Sequence, residues 1–498
     1  MKRNKLLVGL LLILFSINTS RLAQAYTNGE KESGKGDTTT PAAKATDKTT
    51  NLSAEEQLLL LNEKVRRLEE MVERQQRIIE TLQPKANQVT ETNATVAGHT
   101  SEAVHTETAI PSPAPAQPEG LNDEQNKKLD SLHKAFGQFT ISGDLRFRYD
   151  GQFDQGFDAP VEQPDRNRLR VRARLQLAGA FHNNFDWAIR VATGSFTNPA
   201  TTNQDATNFF TRKPVGFDRY FIRYNSKTEP AGIILQAGKF DYPWKRTELT
   251  FDNDIQPEGV AETIYFKGKG ALKDARIIAF QLPLNEVSLG KDAVLFGGQL
   301  QSTIGAGNWT ATGAATFLNF NQVDQIARSL GRPSTQVGGG LEVGTTNRVR
   351  RDANGNIIGF VTNYNILDLI GEVTYNGFNK YPITVVFNYA RNMSDRLETL
   401  KEEDAYWTEF KVGRLKEKGD VELTYTFSRV EQDAVLGVFS FDDFLQTNSR
   451  NNRITFAYMV NNNVFVQFLN FFNERFNTLP NRGSRTQKRF QFDVNYRF

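Results

Sequence analysis

The sequence predicts an all-β fold, a transmembrane antiparallel β-barrel of about 16 strands, preceded by a short α-helical coiled coil. Three observations lead there. From residue 138 onward apolar and polar residues alternate with period two. The connections between these runs are short and long in strict succession. The chain then closes on Phe490, Phe492, Val494, Tyr496 and Phe498, alternating to a terminal aromatic. Bulk composition excludes most other classes. The 498 residues carry 60 Lys+Arg against 57 Asp+Glu, a net charge of +3, with no Cys and 39% hydrophobic residues, and the mean hydropathy is −0.50. Zero Cys excludes a disulfide scaffold and thiol chemistry. Balanced charge argues against a nucleic-acid partner. Past residue 25 no window of about 18 apolar residues could cross a membrane as a helix.

The elements follow in order. Lys2, Arg3 and Lys5 precede an apolar run from Leu6 to Ile17, and Ala23-Gln24-Ala25 supplies a small-x-small cleavage pattern. Residues 1–25 therefore read as a signal peptide, the run being too short for a membrane anchor. Residues 26–51 have almost no large apolar side chain and read as a disordered linker. Ser53 and Glu56 form a capping box at the start of residues 52–83. Leu58, Leu61, Val65, Leu68, Val72, Gln75, Ile79 and Leu82 then keep a 3-4 spacing, the seam of a left-handed coiled coil. The polar flanks argue against a helix packed on its own domain, and about four heptads imply several chains held together by something larger. Residues 84–137 form a Pro/Thr/Ala-rich linker, stiffest at 111–118, with a short helix marked by Leu121, Leu129, Leu132 and Phe136.

The barrel occupies 138–498. Strands are expected near 138–150, 166–180, 185–196, 217–225, 231–240, 260–267, 272–281 and 293–304, then 308–320, 361–376, 381–391, 403–414, 420–431, 450–460, 463–475 and 487–498. Those near 293–304, 308–320 and 463–475 alternate poorly, which leaves the count open by two. Short connections such as 268–270 and 305–307 read as periplasmic turns, and long ones such as 321–360 and 432–449 as external loops. A soluble β-sandwich would rarely keep this rhythm for about 360 residues. Parity puts both ends of the barrel, and so the coiled coil, on the periplasmic side of a Gram-negative outer membrane. Tyr496 and Phe498 match the terminal signal of the barrel-assembly machinery.

About 16 strands leave an aqueous lumen. Arg146, Arg148, Arg168, Arg170, Arg172, Arg174 and Arg190 share the polar face of the first three strands, and Arg219 and Arg223 extend it onto the fourth. Such a basic wall biases a pore toward anions. The third long loop, 241–259, offers counter-charge from Asp241, Glu248, Asp252, Asp254 and Glu258. Folded inward, it would make a constriction opposite the arginines. Catalysis has no support, since His99, His105 and His133 precede the barrel and His182 lies in a turn, so no Ser/His/Asp set forms. Asp252, Asp254 and Glu258 match no established Ca²⁺ loop, so neither metal nor cofactor is expected.

The stretches Gly143-Asp-Leu-Arg-Phe-Arg148, Asp165–Arg174, Ala237-Gly-Lys-Phe240 and Phe251–Gly259 resemble the bacterial "putative porin" family of outer-membrane proteins, which is similar to the phosphate-selective porins. The resemblance covers about 138–498. It implies a homotrimeric channel in outer-membrane lipid for small hydrophilic solutes or anions. The coiled coil, which ordinary porins do not need, supports an alternative: an outer-membrane anchor that tethers the cell wall.

Overall fold

The computed structural model describes residues 127, 139–154, 164–181, 184–206, 209–287, 290–330, 340–341, 343–394, 402–475, 477 and 486–498. The leader, the first linker, the coiled-coil seam from Leu58 to Leu82, the marker residues of the short helix and His182 lie outside them. In chain order the elements begin β1 (Phe139–Phe153), β2 (Arg166–Phe181), β3 (Phe185–Thr193), a two-residue β4 (Gln204–Asp205), β5 (Val215–Asn225) and β6 (Ala231–Lys239). Then come β7 (Glu258–Lys267), β8 (Leu272–Asn285), β9 (Ala293–Ala306), β10 (Trp309–Asn321), helix α1 (Val323–Ser329), and a hairpin of β11 (Val349–Arg351) and β12 (Ile357–Phe360). The last are β13 (Tyr364–Tyr375), β14 (Ile383–Asn392), β15 (Asp404–Gly413), β16 (Val421–Val430), β17 (Ser449–Met459), β18 (Val464–Arg475) and β19 (Gln487–Arg497).

Sixteen of these strands close an antiparallel barrel, each pairing with its neighbours, and β1 pairs with both β2 and β19. β4 fills the place beside β2 at Arg170 and Val171, above the point where β3 stops pairing. Closure leaves no unpaired edge, the condition for a sheet in lipid. The alternation sets the two faces. Ile141, Phe147, Leu169 and Leu175 are exposed on the outer wall, while Arg148, Asp150 and Arg170 are buried inside. Aromatic side chains gather at the short-turn end, where Trp309 meets Tyr375 at 4.6 Å and Tyr375 meets Phe378 at 5.2 Å. Such a girdle marks the lipid–water boundary.

The strands with poor alternation have a physical reason. Toward the long-loop end their lumenal face turns apolar and is covered by loops. Leu295 on β9, Leu318 on β10 and Phe471 on β18 are fully buried inside, while Phe296, Phe317 and Phe472 beside them are exposed outside. They join Phe280, Ile366, Trp407 and residues of the loops and α1 in one core within the barrel. The short/long rhythm also needs a correction. β8 runs on to Asn285 because Leu282 joins that core, so the connection at 286–292 is no longer than the turns at 376–382 and 414–420. Strand parity, not length, places it.

The seam holds the C-terminus. Phe498 and Gly143 exchange backbone hydrogen bonds of 3.0 and 3.1 Å, and Tyr496 stacks on Phe498 at 5.7 Å. A Cβ on Gly143 would lie 2.4 Å from the Arg174 carbonyl oxygen and 2.6 Å from the Phe498 ring. Gly143→Val is predicted to cost about 1–3 kcal/mol through overpacking. Gly313→Ala, with open space around it, should leave stability unchanged. Urea unfolding in detergent micelles tests both, and equal midpoints for the two variants would remove the seam argument.

Candidate functional site

The register of β19, β1 and β2 stacks charged residues across the lumen. Arg148 faces Asp493 on one side and Arg170 on the other, and Asp150 faces Gln491 and Arg168. The Arg148 guanidinium donates to both Asp493 oxygens at 2.7 and 2.8 Å. Asp150, fully buried, accepts from Arg168 at 2.9 Å and from Arg489 at 2.7 and 2.9 Å. Asp144 receives Arg172 at 2.9 Å and Arg174 at 2.6 Å. Arg170 reaches Asp205 at 3.2 Å. A bulge in β5 seats Asp218 beside Arg190, whose Nε donates at 2.6 Å. The expected basic wall is therefore an interleaved ladder, because packed guanidinium groups at low dielectric require counter-charges within bonding distance. Arg223 pairs with Asp186 at 3.4 Å toward the short-turn end, away from the rest.

The third long loop runs through the lumen. It leaves β6 and rejoins β7 at Gly238 and Gly259, which sit opposite each other in register with φ of +117° and +146°. A Cβ at either would lie 2.2 Å from a neighbouring carbonyl, so only glycine allows the bend. Asp241 accepts from Arg219 at 2.6 Å. Lys245 reaches Gln299 on β9 and Glu372 on β13, both at 2.8 Å. Thr247 bonds Asn388 on β14, and Glu248 accepts from Arg453 on β17 at 3.0 Å. The return brings Asp254 within 3.8 Å of Arg172 and 3.7 Å of Arg174. Trp244 stacks on Phe280 at 3.9 Å and ties the loop to the apolar core.

One expected member departs. Glu258 opens β7 and points to the outer wall, where it accepts from Tyr220 and lies 3.7 Å from Lys239. Strand alternation past Gly259 turns it away from Asp252 and Asp254, so the three do not form a cluster. Other functional residues escaped the sequence reading. Arg453 sits over the rings of Trp407, Phe441 and Phe444 at 5.0–5.7 Å. Asp442 and Asp443 belong to a second loop, 431–448, that also turns inward. The signal for it was the apolar run Ala434-Val-Leu-Gly-Val438, out of place in a water-exposed loop.

Between the β1–β5 wall and the two loops lies a polar cavity of about 480 Å³. Eight guanidinium groups and six carboxylates line it. Burial, and then the nearby Asp442, Asp254 and Glu248 charges, push Asp252 well above the usual carboxylate range. Asp254 feels the same burial, yet Arg172, Arg146 and Arg174 hold it below that range. The cavity thus separates a basic strand wall from loop carboxylates of unequal protonation.

A family model described as putative porin matches residues 159–335 and 340–498. No curated protein matches the chain by sequence. Among solved structures, Pseudomonas putida OprB at high pH aligns over 75% of this chain and 97% of its own, with 9% identity and a TM-score of 0.45. Salmonella typhi OmpF in complex with daunomycin aligns over 72% and 97%, with 11% identity and a TM-score of 0.41. A triple mutant of the Rhodopseudomonas blastica porin aligns over 72% and 100%, with 11% identity and a TM-score of 0.37.

Burial and the neighbouring Asp443 charge push Asp442 up to about 7, against the opposing pull of Arg489 and Arg170. Its pKa is raised, so the acid form dominates below that value and the cavity gains a negative charge as pH rises through it. The reversal potential of the reconstituted barrel in a salt gradient should move toward cations between about pH 6 and about pH 8. Asp442→Asn should hold the low-pH behaviour across that window. A shift that survives in the variant would assign the titration to another group.

Proposed function

The chain belongs to the putative porin family, and from that premise we propose that it carries small hydrophilic solutes passively through an off-axis, polar passage that prefers anions. Family and fold support an outer-membrane channel. One observation carries the finer reading. The cavity has eight guanidinium groups against six carboxylates, and burial holds Asp252 and Asp442 toward the neutral form. The balance favours an anion even though most arginines have a partner. The apolar core gathers on the β8–β18 side, and the polar cavity lies against β1–β5, the two loops and the adjoining residues of β17 and β18.

We read the working unit as a homotrimer gathered by the coiled coil of 52–83, with the linkers spanning the periplasm. Deleting 51–118 should abolish trimers on native electrophoresis and leave each barrel conducting. Intact trimers with loss of envelope cohesion would favour the tethering role instead.

Purified protein in planar bilayers should give stepwise conductance, and a folded barrel that stays electrically silent would refute the channel. Replacing Arg170 and Arg172 by Gln should lower the anion-to-cation permeability ratio several-fold. An unchanged reversal potential would strip these arginines of a role in selectivity.

A further inference from the structure

The loop joining β16 to β17, residues 431–448, spans from the apolar core to the charged wall. Ala434, Val435, Leu436 and Val438 are fully buried in the core. Phe439 stacks on Phe251 of the third loop at 6.1 Å and on Phe320 of β10 at 6.2 Å. Backbone bonds then join the two loops. The Asp252 N–H donates to the Phe439 carbonyl at 2.7 Å, and the Phe441 N–H donates to the Glu248 carbonyl at 3.1 Å. The Asp442 N–H donates to the Asp252 carboxylate at 3.2 Å. Beyond this contact the chain touches the charged wall at Asp443 and returns to the core, where Phe444 packs on Trp407 and Phe471 at 5.5 and 5.9 Å.

At the crossing the Asp443 carboxylate is buried among three donors from the wall. Arg489 lies at 2.8 Å, the Gln491 amide at 3.1 Å and Arg148 at 3.4 Å. Asn473 of β18 donates to its carbonyl at 3.3 Å. Asp443 thus fastens the second loop to β1, β18 and β19 at once, and Phe441, Asp442 and Asp443 all line the cavity. Both arginines keep another two-oxygen partner, Arg148 in Asp493 and Arg489 in Asp150. Loss of the Asp443 side chain would free the 441–443 tip from β1 and β19, while the buried root and the backbone bonds of the loop stay in place, and it would not leave the wall uncompensated.

We propose that the 431–448 loop forms the second jaw of the constriction and that Asp443 is the positioning residue that sets the size cut-off for solutes. This rests on the channel reading and adds to it a determinant of size distinct from the arginine ladder. A lost charge alone shifts ion selectivity and does not by itself admit larger neutral solutes, and Phe439→Ala tests size with no change of charge.

The test is swelling of proteoliposomes in neutral sugars from mono- to trisaccharide, with wild type, Asp443→Asn and Phe439→Ala. Heat-modifiable electrophoretic mobility checks that each barrel has folded. Both variants should admit di- and trisaccharides several-fold faster relative to monosaccharide than wild type does. Phe439→Ala alters no charge and carries the test if Asp443→Asn fails to fold. Sugar rates unchanged in the folded variants, with only ion selectivity shifted in Asp443→Asn, would overturn the proposal. Wild-type vesicles that pass neither salt nor monosaccharide would overturn the channel reading itself, a result distinct from equal behaviour of variant and wild type.

Discussion

Every backbone amide that crosses hydrocarbon must find its partner inside the protein, and the β1–β19 seam is where the two ends of the sheet meet that demand. Without the β1–β19 ladder, which the Phe498–Gly143 pair extends, the sheet would have two open edges. The seam register decides which lumenal side chains of β1 and β19 become neighbours. The contact between Arg148 and Asp493, 345 residues apart, exists only through that closure. The buried pair Arg489 and Asp150 depends on it equally. The seam is thus both a requirement of the membrane and the device that assembles the charged wall.

Inside the ring two environments share the space. Toward the long-loop end of β8 to β18, loops cover apolar side chains and build a core like that of a soluble domain. Across from it, charged side chains remain around a polar cavity. The third loop joins the two, since Trp244 is seated in the core while Asp254 faces Arg172 and Arg174. A loop anchored only by ion pairs would rearrange with salt and pH; the stacking of Trp244 on Phe280 gives it a fixed root. The same division serves the second loop, which buries Val435 and Leu436 on one side and offers Asp443 to the wall on the other.

The wall was largely legible in the sequence. All sixteen expected strands are present, because lipid outside and water inside impose period two on each strand separately. Where Leu295, Leu318 and Phe471 broke that pattern, the loops had replaced water as the inner environment. The arginines of β1, β2 and β3 were readable as one face for the same local reason. Their partners were less so. Asp144 and Asp150 stood in plain view as polar-face residues, yet their role as counter-ions required the register between strands. Glu258 looked like part of an acidic loop until strand alternation past Gly259 turned it outward.

Period two and turn spacing therefore sufficed for the barrel, for a strand number within two and for its basic face, since each expresses a short-range rule that a dozen residues obey alone. The lumen obeys no such rule. Which carboxylate neutralises Arg148, how the third loop crosses, and that 431–448 turns inward to meet it all depend on contacts between segments far apart in the chain. Those contacts require the register that closure sets and the burial of the apolar loop residues inside the barrel. Tertiary structure decided them because burying the apolar residues and pairing the charges had to be achieved together, in one confined volume.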